Sequence, residues 1–447
     1  MSVNASRRIS RLLSALLGLL VCQGAQAMDL LDLYERAREF DPVFQAARYE
    51  RAVADQVLRE SQAGVRPEFS ADLEGRKTYQ DIRESENFLF QVGRTDYLSD
   101  RFALSLVQPV YRSDAFRRIP QARAEVRQAE SSFDAAEQDL MFRLAQAHFN
   151  YLAALDNLEF ATAERRAIRQ QLEESEERLG LGLTTLTDVH DARAKSALAE
   201  ADEIEALDIL EDNRRAIAEI TGMIPTDLSV LGETFPIVEP DPPNVEFWVE
   251  AALFQNPTVK ALEEAAEIAQ REINVQRGAH LPRVDLVASF DNSDTGGTVF
   301  GGGNHIVSTE LALRVGIPIY NGGRTSALTE RAALTHQIAL QELEREKRRI
   351  ERETRTSFQQ VVSGVTRVRA LEKSVFSHEA ALAAKDEGLR SGLNTGRDVL
   401  DARRDLFLVK RDLTQARYLY ILNRLRLKQV TGILHVDDLK QVNAYLQ

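Results

Sequence analysis

The chain has 447 residues, with 56 Lys and Arg against 69 Asp and Glu, for a net charge of -13. That length holds two or three ordinary domains, and the acidic balance argues against nucleic acid as a partner. The seven histidines are scattered singly and there is one cysteine, so neither a disulfide frame nor a histidine–cysteine metal site is expected.

In chain order, the first element is an export signal. Arg7, Arg8 and Arg11 precede an apolar run from Leu12 to Val21, and Ala25-Gln26-Ala27 closes the segment, which predicts removal of residues 1–27. Cys22 leaves with it. Val21 is not the small residue that a lipoprotein signal places before its cysteine, so an unlipidated chain beginning at Met28 is expected. Beyond the signal, no apolar run approaches the roughly 20 residues of a membrane-spanning helix.

The rest of the chain is written twice. "DVHDAR" from Asp188 returns as "DVLDAR" from Asp398, a shift of 210 residues that also carries Gly182-Leu183 onto Gly392-Leu393 and Thr221-Gly222 onto Thr431-Gly432. Upstream, "QPVY" ending at Tyr111 matches "IPIY" ending at Tyr320, and Asp41-Pro42 matches Asn256-Pro257. This gives a first repeat over 28–234, a proline-rich linker over 235–244, a second repeat over 245–432 and a tail over 433–447. Two such long units are unlike the short tandem units of solenoids.

Each repeat predicts the same elements. An amphipathic helix runs from Asp41 to Gly64, with its twin from Pro257 to Gly278. Two strands follow in each, with period-two alternation. Phe69 and Leu73, then Phe102, Leu104 and Leu106, then Leu286 and Phe290, then Leu311 and Leu313 form the apolar sides. Asp72, Glu74, Asp285, Glu310 and Arg314 fall on the polar sides. Pro109 and Pro318 are expected to stop the ladders, because proline cannot donate. Helices of about 66 residues come next, Asp114 to Leu179 and Arg324 to Leu389, each roughly 100 Å long at 1.5 Å per residue. A glycine turn then leads to a helix of about 35 residues ending at Thr221 or Thr431. The last of these has clean heptad spacing through Val399, Ala402, Leu406, Val409, Leu413, Ala416 and Tyr420. "DTGGTVFGGGN" from Asp294 to Asn304 reads as a loop, since glycine at that density does not hold a strand.

Four amphipathic strands cannot close a membrane barrel alone, where about eight is the smallest number known, and an open sheet edge is not tolerated in lipid. The strands therefore belong either to a soluble domain or to one arc of a barrel shared between chains. The repeated hexapeptide offers Asp188 with Asp191 and Asp398 with Asp401. As catalytic acids these pairs would need a nucleophile, base or pocket nearby, and the flanks offer Thr, Leu and Arg. As helix caps, Thr185-x-x-Asp188 and Thr395-x-x-Asp398 have capping-box spacing, with Gly182 and Gly392 placed to end the preceding helices. Asp191 is spaced to pair with Lys195 and Asp401 with Arg404. Neither an enzyme nor a cofactor is expected.

The signal, the duplicated helix–strand–strand–long helix unit, "RLGLGLTTLTDVHDAR", "LRSGLNTGRDVLDAR" and the "PVY" and "PIYNGGR" junctions resemble the TolC family of outer-membrane efflux and secretion proteins over essentially the whole mature chain. The resemblance implies a mostly α chain with membrane β: a homotrimeric α-barrel joined to a shared 12-stranded outer-membrane β-barrel, four strands per chain. It implies an export duct reaching from the outer membrane into the periplasm. Its partners would be a periplasmic adaptor, an inner-membrane transporter (ABC or proton-driven) and outer-membrane lipid, and its cargo proteins, small molecules or both. It places the periplasmic gate at Asp398 and Asp401, with Asp188, Asp191, Arg397 and Asn394 beside it. Rings of carboxylate at a narrow opening select cations. It puts adaptor contacts at Gly180, Gly182, Leu183, Gly392 and Leu393, lipid against the apolar strand residues, and Pro109, Tyr111, Pro318 and Tyr320 at the strand–helix junctions, where tyrosine suits an interface belt. One departure stands out: the tyrosine and arginine that latch the family's closed state fall on Leu389 and Asn394, with Arg397 close by as a substitute. The competing reading is a soluble periplasmic coiled-coil scaffold, which would have to cover the apolar side of its sheet with protein.

Overall fold

The computed structural model describes residues 28–84, 86, 92–232, 235–297 and 302–446. The export signal, with Cys22, lies outside them, as does the middle of the glycine-rich loop. The elements are α1 (Leu30–Phe40), α2 (Pro42–Ala63), β1 (Glu68–Ile82), β2 (Gly93–Arg112), α3 (Ser113–Gly180), α4 (Leu186–Thr221), α5 (Val245–Gln255), α6 (Pro257–Gly278), β3 (Arg283–Thr295), β4 (Asn304–Gly316), α7 (Arg324–Arg390), α8 (Gly396–Val430) and α9 (Val436–Asn443). The long helices match their expected spans to within about a residue at each end, and α6 matches outright. Pro120 lies inside the start of α3 without breaking it. The short helices α1, α5 and α9 were not anticipated. Among the described residues no helix is long and apolar enough to cross a membrane.

The chain forms two compact units, and both repeats contribute to each. The first comprises Met1–Ala47, Asp134–Asn256 and Arg349–Gln447. Its core joins Leu30, Leu33 and Tyr34 of α1, Leu140, Leu144, Phe149 and Leu152 of α3, Ile217 of α4, Tyr420 and Ile421 of α8, and Leu439 of α9. Of the heptad residues, Val399, Ala402, Ala416 and Tyr420 are buried, and Leu406, Val409 and Leu413 are half-buried. Each helix–helix corner at the start of a repeat carries a buried polar residue. Asp41 caps Phe44 N at 2.8 Å and pairs with Arg143 at 2.8 Å. Asn256 donates to Val430 O, one of the orphan carbonyls at the end of α8, at 2.8 Å. Glycine is required beside it: Gly432 has φ +77, and a Cβ there would lie 2.7 Å from Gln255 O. The linker crosses this unit with both backbone groups of Val238 bonded to the Tyr420 hydroxyl, at 3.0 and 2.7 Å.

The second unit comprises Arg48–Phe133 and Pro257–Arg348. Its four strands pair antiparallel in chain order, leaving β1 and β4 as the edges. Register sets Phe69 opposite Leu106, Leu104 opposite Phe290, and Leu286 opposite Leu313. Residues directly opposite share a face, so all nine residues predicted to be apolar-side lie on one side of the sheet. Phe102 and Phe290 meet edge to face at 6.4 Å. The other face carries Asp72, Glu74, Asp285, Glu310 and Arg314 as expected, with Arg112 bridging to Asp285 through two bonds at 2.7 and 3.0 Å. One expectation fails. Pro109 does not end its ladder: β2 continues to Arg112 through a bulge between Pro109 and Tyr111. The bulge absorbs the missing donor by adding a residue to one strand. Pro318 does lie beyond its strand, since β4 stops at Gly316.

His148 of α3 is fully buried in the first unit, and burial pushes its imidazole down to about 4. The unfolded chain, titrating near 6.5, binds more protons than the folded one between these values, so stability is lost as pH falls through that window. The full loss is about 3 kcal/mol. Melting temperature is expected to drop between pH 6.5 and pH 4, and His148→Gln to flatten that slope. An unchanged slope in the variant would place the acid sensitivity elsewhere.

Candidate functional site

Both helix hairpins turn over through the same local chemistry. In the first, Gly182 has φ +71, its N–H bonds Leu179 O at 2.9 Å, and Leu183 N bonds Arg178 O at 2.8 Å. In the second, Gly392 has φ +76, Gly392 N bonds Leu389 O at 3.1 Å, and Leu393 N bonds Gly388 O at 2.7 Å. These paired bonds are the Schellman closure, in which a left-handed glycine satisfies orphan carbonyls of the helix end. Two residues later, Thr185 and Thr395 cap the next helices. Thr185 N and Oγ1 donate to Asp188 Oδ2 at 3.0 and 2.6 Å, and Asp188 N donates back at 3.2 Å. Thr395 and Asp398 repeat the box at 2.9, 2.6 and 3.3 Å.

Asp188 has a third donor, the Thr184 hydroxyl at 2.9 Å. The hydrogen bonds from Thr185, side chain first and then backbone, with that from Thr184, hold its carboxyl below the usual carboxylate range. Asp191 and Asp401 stand one turn further on, exposed, and take no part in either box. The pairing expected between Asp401 and Arg404 is not formed: Arg404 reaches instead to Glu164 of α3, at 2.6 Å. Nor do Asp191 and Lys195 form an ion pair among the described residues. Below the tips, Glu176–Arg193 ties α3 to α4 at 2.7 Å, and Glu379–Lys410 ties α7 to α8 at 2.7 Å. Gly180 ends α3, and Leu183 and Leu393 are exposed at the tips. The side chain of Arg397 lies outside the described residues.

Asn394 is not placed as a latch toward another element. Its Nδ2 donates to Lys385 O at 3.3 Å and its backbone N to Gly388 O at 3.1 Å, both on the helix it has just left. Leu389 is partly exposed beside it. The sequence reading missed this interlock and the Thr184 contact. A glycine at 388, deep in a helical pattern, was the available signal. At the junctions, Tyr111 pairs opposite Val284 on the apolar face, whereas Tyr320, 86% exposed, stands free beyond β4.

A duplicated helical chain that carries an amphipathic four-stranded antiparallel sheet is the fold of outer-membrane channels. The Campylobacter jejuni channel CmeC matches it with a TM-score of 0.77 at 15% identity, over 94% of this chain and 90% of that one. Residues 33–223 and 248–433 match the family model described as outer membrane efflux protein, and the chain belongs to that family. It is 30% identical to the outer membrane protein TolC of Vibrio cholerae over 436 residues, 97% of each chain. It is 29% identical to the alkaline protease secretion protein AprF of Pseudomonas aeruginosa over 446 residues, 97% of this chain and 91% of that one. The protein is an outer-membrane export channel that extends into the periplasm.

Thr395→Val and Asp398→Asn are each expected to cost about 1 kcal/mol through the lost cap, read as a lowered unfolding midpoint. Asp401→Asn is expected to stay within about 0.5 kcal/mol of the parent, as an exposed substitution should. Equal losses from Asp398→Asn and Asp401→Asn would show that the two acids do not divide into cap and free charge.

Proposed function

We propose that three copies of the chain close their sheets into a 12-stranded barrel and their helices into a periplasmic duct, through which proteins or small molecules leave the cell with no catalytic step in this chain. The carrying observation is the sheet itself. One face is apolar, with Leu73 82% and Leu311 75% exposed, and both edges carry unpaired backbone groups. In lipid the apolar face is satisfied, and the edges are satisfied only by a neighbouring copy. A soluble scaffold would leave the same face in water, which favours the duct. The repeats over 28–234 and 245–432, the linker 235–244 and the tail 433–447 are then the working divisions of each subunit. Phe69, Leu73, Phe102, Leu104, Leu106, Leu286, Phe290, Leu311 and Leu313 meet lipid.

The hairpin tips form the periplasmic gate. Threefold repetition of Asp398 and Asp401, with Asp188, Asp191, Arg397 and Asn394 nearby, concentrates negative potential at one opening. Gly180, Gly182, Leu183, Gly392 and Leu393 offer the surface for a periplasmic adaptor, which links the duct to an inner-membrane transporter. The name of AprF, a protease secretion protein, supports polypeptide cargo for this chain as well.

Detergent extraction of the outer membrane followed by mass measurement should give three chains per particle, and a soluble monomer would overturn the duct. In planar bilayers, Asp401→Asn should weaken cation selectivity and block by multivalent cations without lowering the melting temperature. Unchanged selectivity and block would remove Asp401 from the gate.

A further inference from the structure

The two tips share a Schellman turn and a capping box, yet the residue between them is fastened in opposite directions. In the first hairpin Thr184 reaches forward, its hydroxyl on Asp188 of α4 at 2.9 Å. In the second, the matching residue Asn394 reaches back, with its amide on Lys385 O at 3.3 Å and its backbone N–H on Gly388 O at 3.1 Å. Gly388 makes room for that contact: a Cβ there would overlap Asn394 Nδ2 and come within 2.9 Å of its Cγ. The matching position in the first repeat is Arg178, and no such notch exists there.

We propose that this residue sets where each hairpin bends. In the first hairpin Thr184 moves with α4 while Gly182 and Leu183 stay bonded to α3, so that hairpin flexes between Leu183 and Thr184. The second turn moves with α7, so that hairpin flexes between Asn394 and Thr395. Hinges are the few loop or element-end residues that absorb the backbone change, and a side-chain tie on one side moves the soft bond to the other. The consequence concerns the acids. Asp398 and Asp401 lie on α8, beyond the second hinge, and swing relative to their own turn. Asp188 and Asp191 lie on α4, which carries Thr184 along. Gly388 and Asn394 are thus positioning residues for the acids, and this consequence for transport rests on the tips being the gate.

The test is hydrogen exchange followed by mass spectrometry on the detergent-extracted full chain. Asn394→Ala should raise exchange at the amides of Gly392 to Asn394 about fivefold, the worth of one neutral hydrogen bond. The first turn of α8 should be unchanged. Thr184→Val should do the reverse in the first hairpin, loosening the first turn of α4 and sparing Gly182 and Leu183. Gly388→Ala, which displaces the Asn394 side chain, should reproduce Asn394→Ala, and the double variant should add nothing, as expected of one shared contact. The proposal is overturned if Asn394→Ala loosens the start of α8 as much as the turn, or if Gly388→Ala leaves the turn unchanged. Bilayer recording separates the two readings. Altered exchange with wild-type currents would keep the hinge and remove the gate.

Discussion

The unpaired edges of β1 and β4 are the constraint on which the rest of the molecule turns. Inside hydrocarbon each unsatisfied backbone group costs several kcal/mol, and β1 alone runs to 15 residues. Nothing in one chain's sheet order brings β4 back to β1, since the strands pair strictly in sequence order. In the barrel proposed above, closure by identical copies would satisfy every edge with the least new sequence. It also demands register, because a slip of one residue would put Asp72 where Leu73 stands and turn the apolar face inward. The alternation Phe69, Leu73, Leu311 and Leu313 against Asp72, Glu74, Glu310 and Arg314 fixes that register from both edges.

Duplication gives the two halves a common plan, and the structure solves the same local problem twice with different residues. At the start of each repeat a buried polar residue sits between two helices: Asp41 answers a guanidinium, while Asn256 answers a helix-end carbonyl. Each hairpin's second helix ends at a left-handed glycine packed on such a corner, Gly222 against the Phe40 side chain and Gly432 against the backbone of Gln255. A side chain can shift and a backbone cannot, so the second corner is the more tightly specified. The tips diverge in the same manner, Thr184 going forward and Asn394 back. Equivalent positions in a duplicated chain have therefore been free to specialise wherever the backbone plan survives either choice.

Much of this plan was legible because it is carried by period and spacing. Strands of alternating polarity, long uninterrupted helical stretches, and threonine–aspartate boxes after glycine are local signals, and they placed β1 to β4, α3, α7 and the caps. The losses are where local signals are weak or tertiary contacts decide. The helices α1 and α9 have 11 and 8 residues, too short for periodicity to stand out, and α5 follows a proline-rich linker that reads as loop. Pro109 was misjudged because a missing donor can be absorbed by a bulge, which depends on the partner strand. Arg404 was given to Asp401 on helical spacing, but Glu164, from a helix distant in sequence, takes it. The Asn394–Gly388 contact likewise needs the turn to be folded before the amide can find its notch.

The repeated hexapeptide was open to being either a cap or a charge for the opening, and the geometry allows both at once. At Asp188 all three donors meet Oδ2, which leaves Oδ1 turned away from the cap. The donors that fix the carboxylate also hold its proton affinity down, so the structural role keeps the charge present into acid. Three residues on, Asp191 and Asp401 share that side of the helix without the cap's restraint. A rigid acid followed by a free one gives each tip a charge whose position is set by the fold and a second that is available to ions.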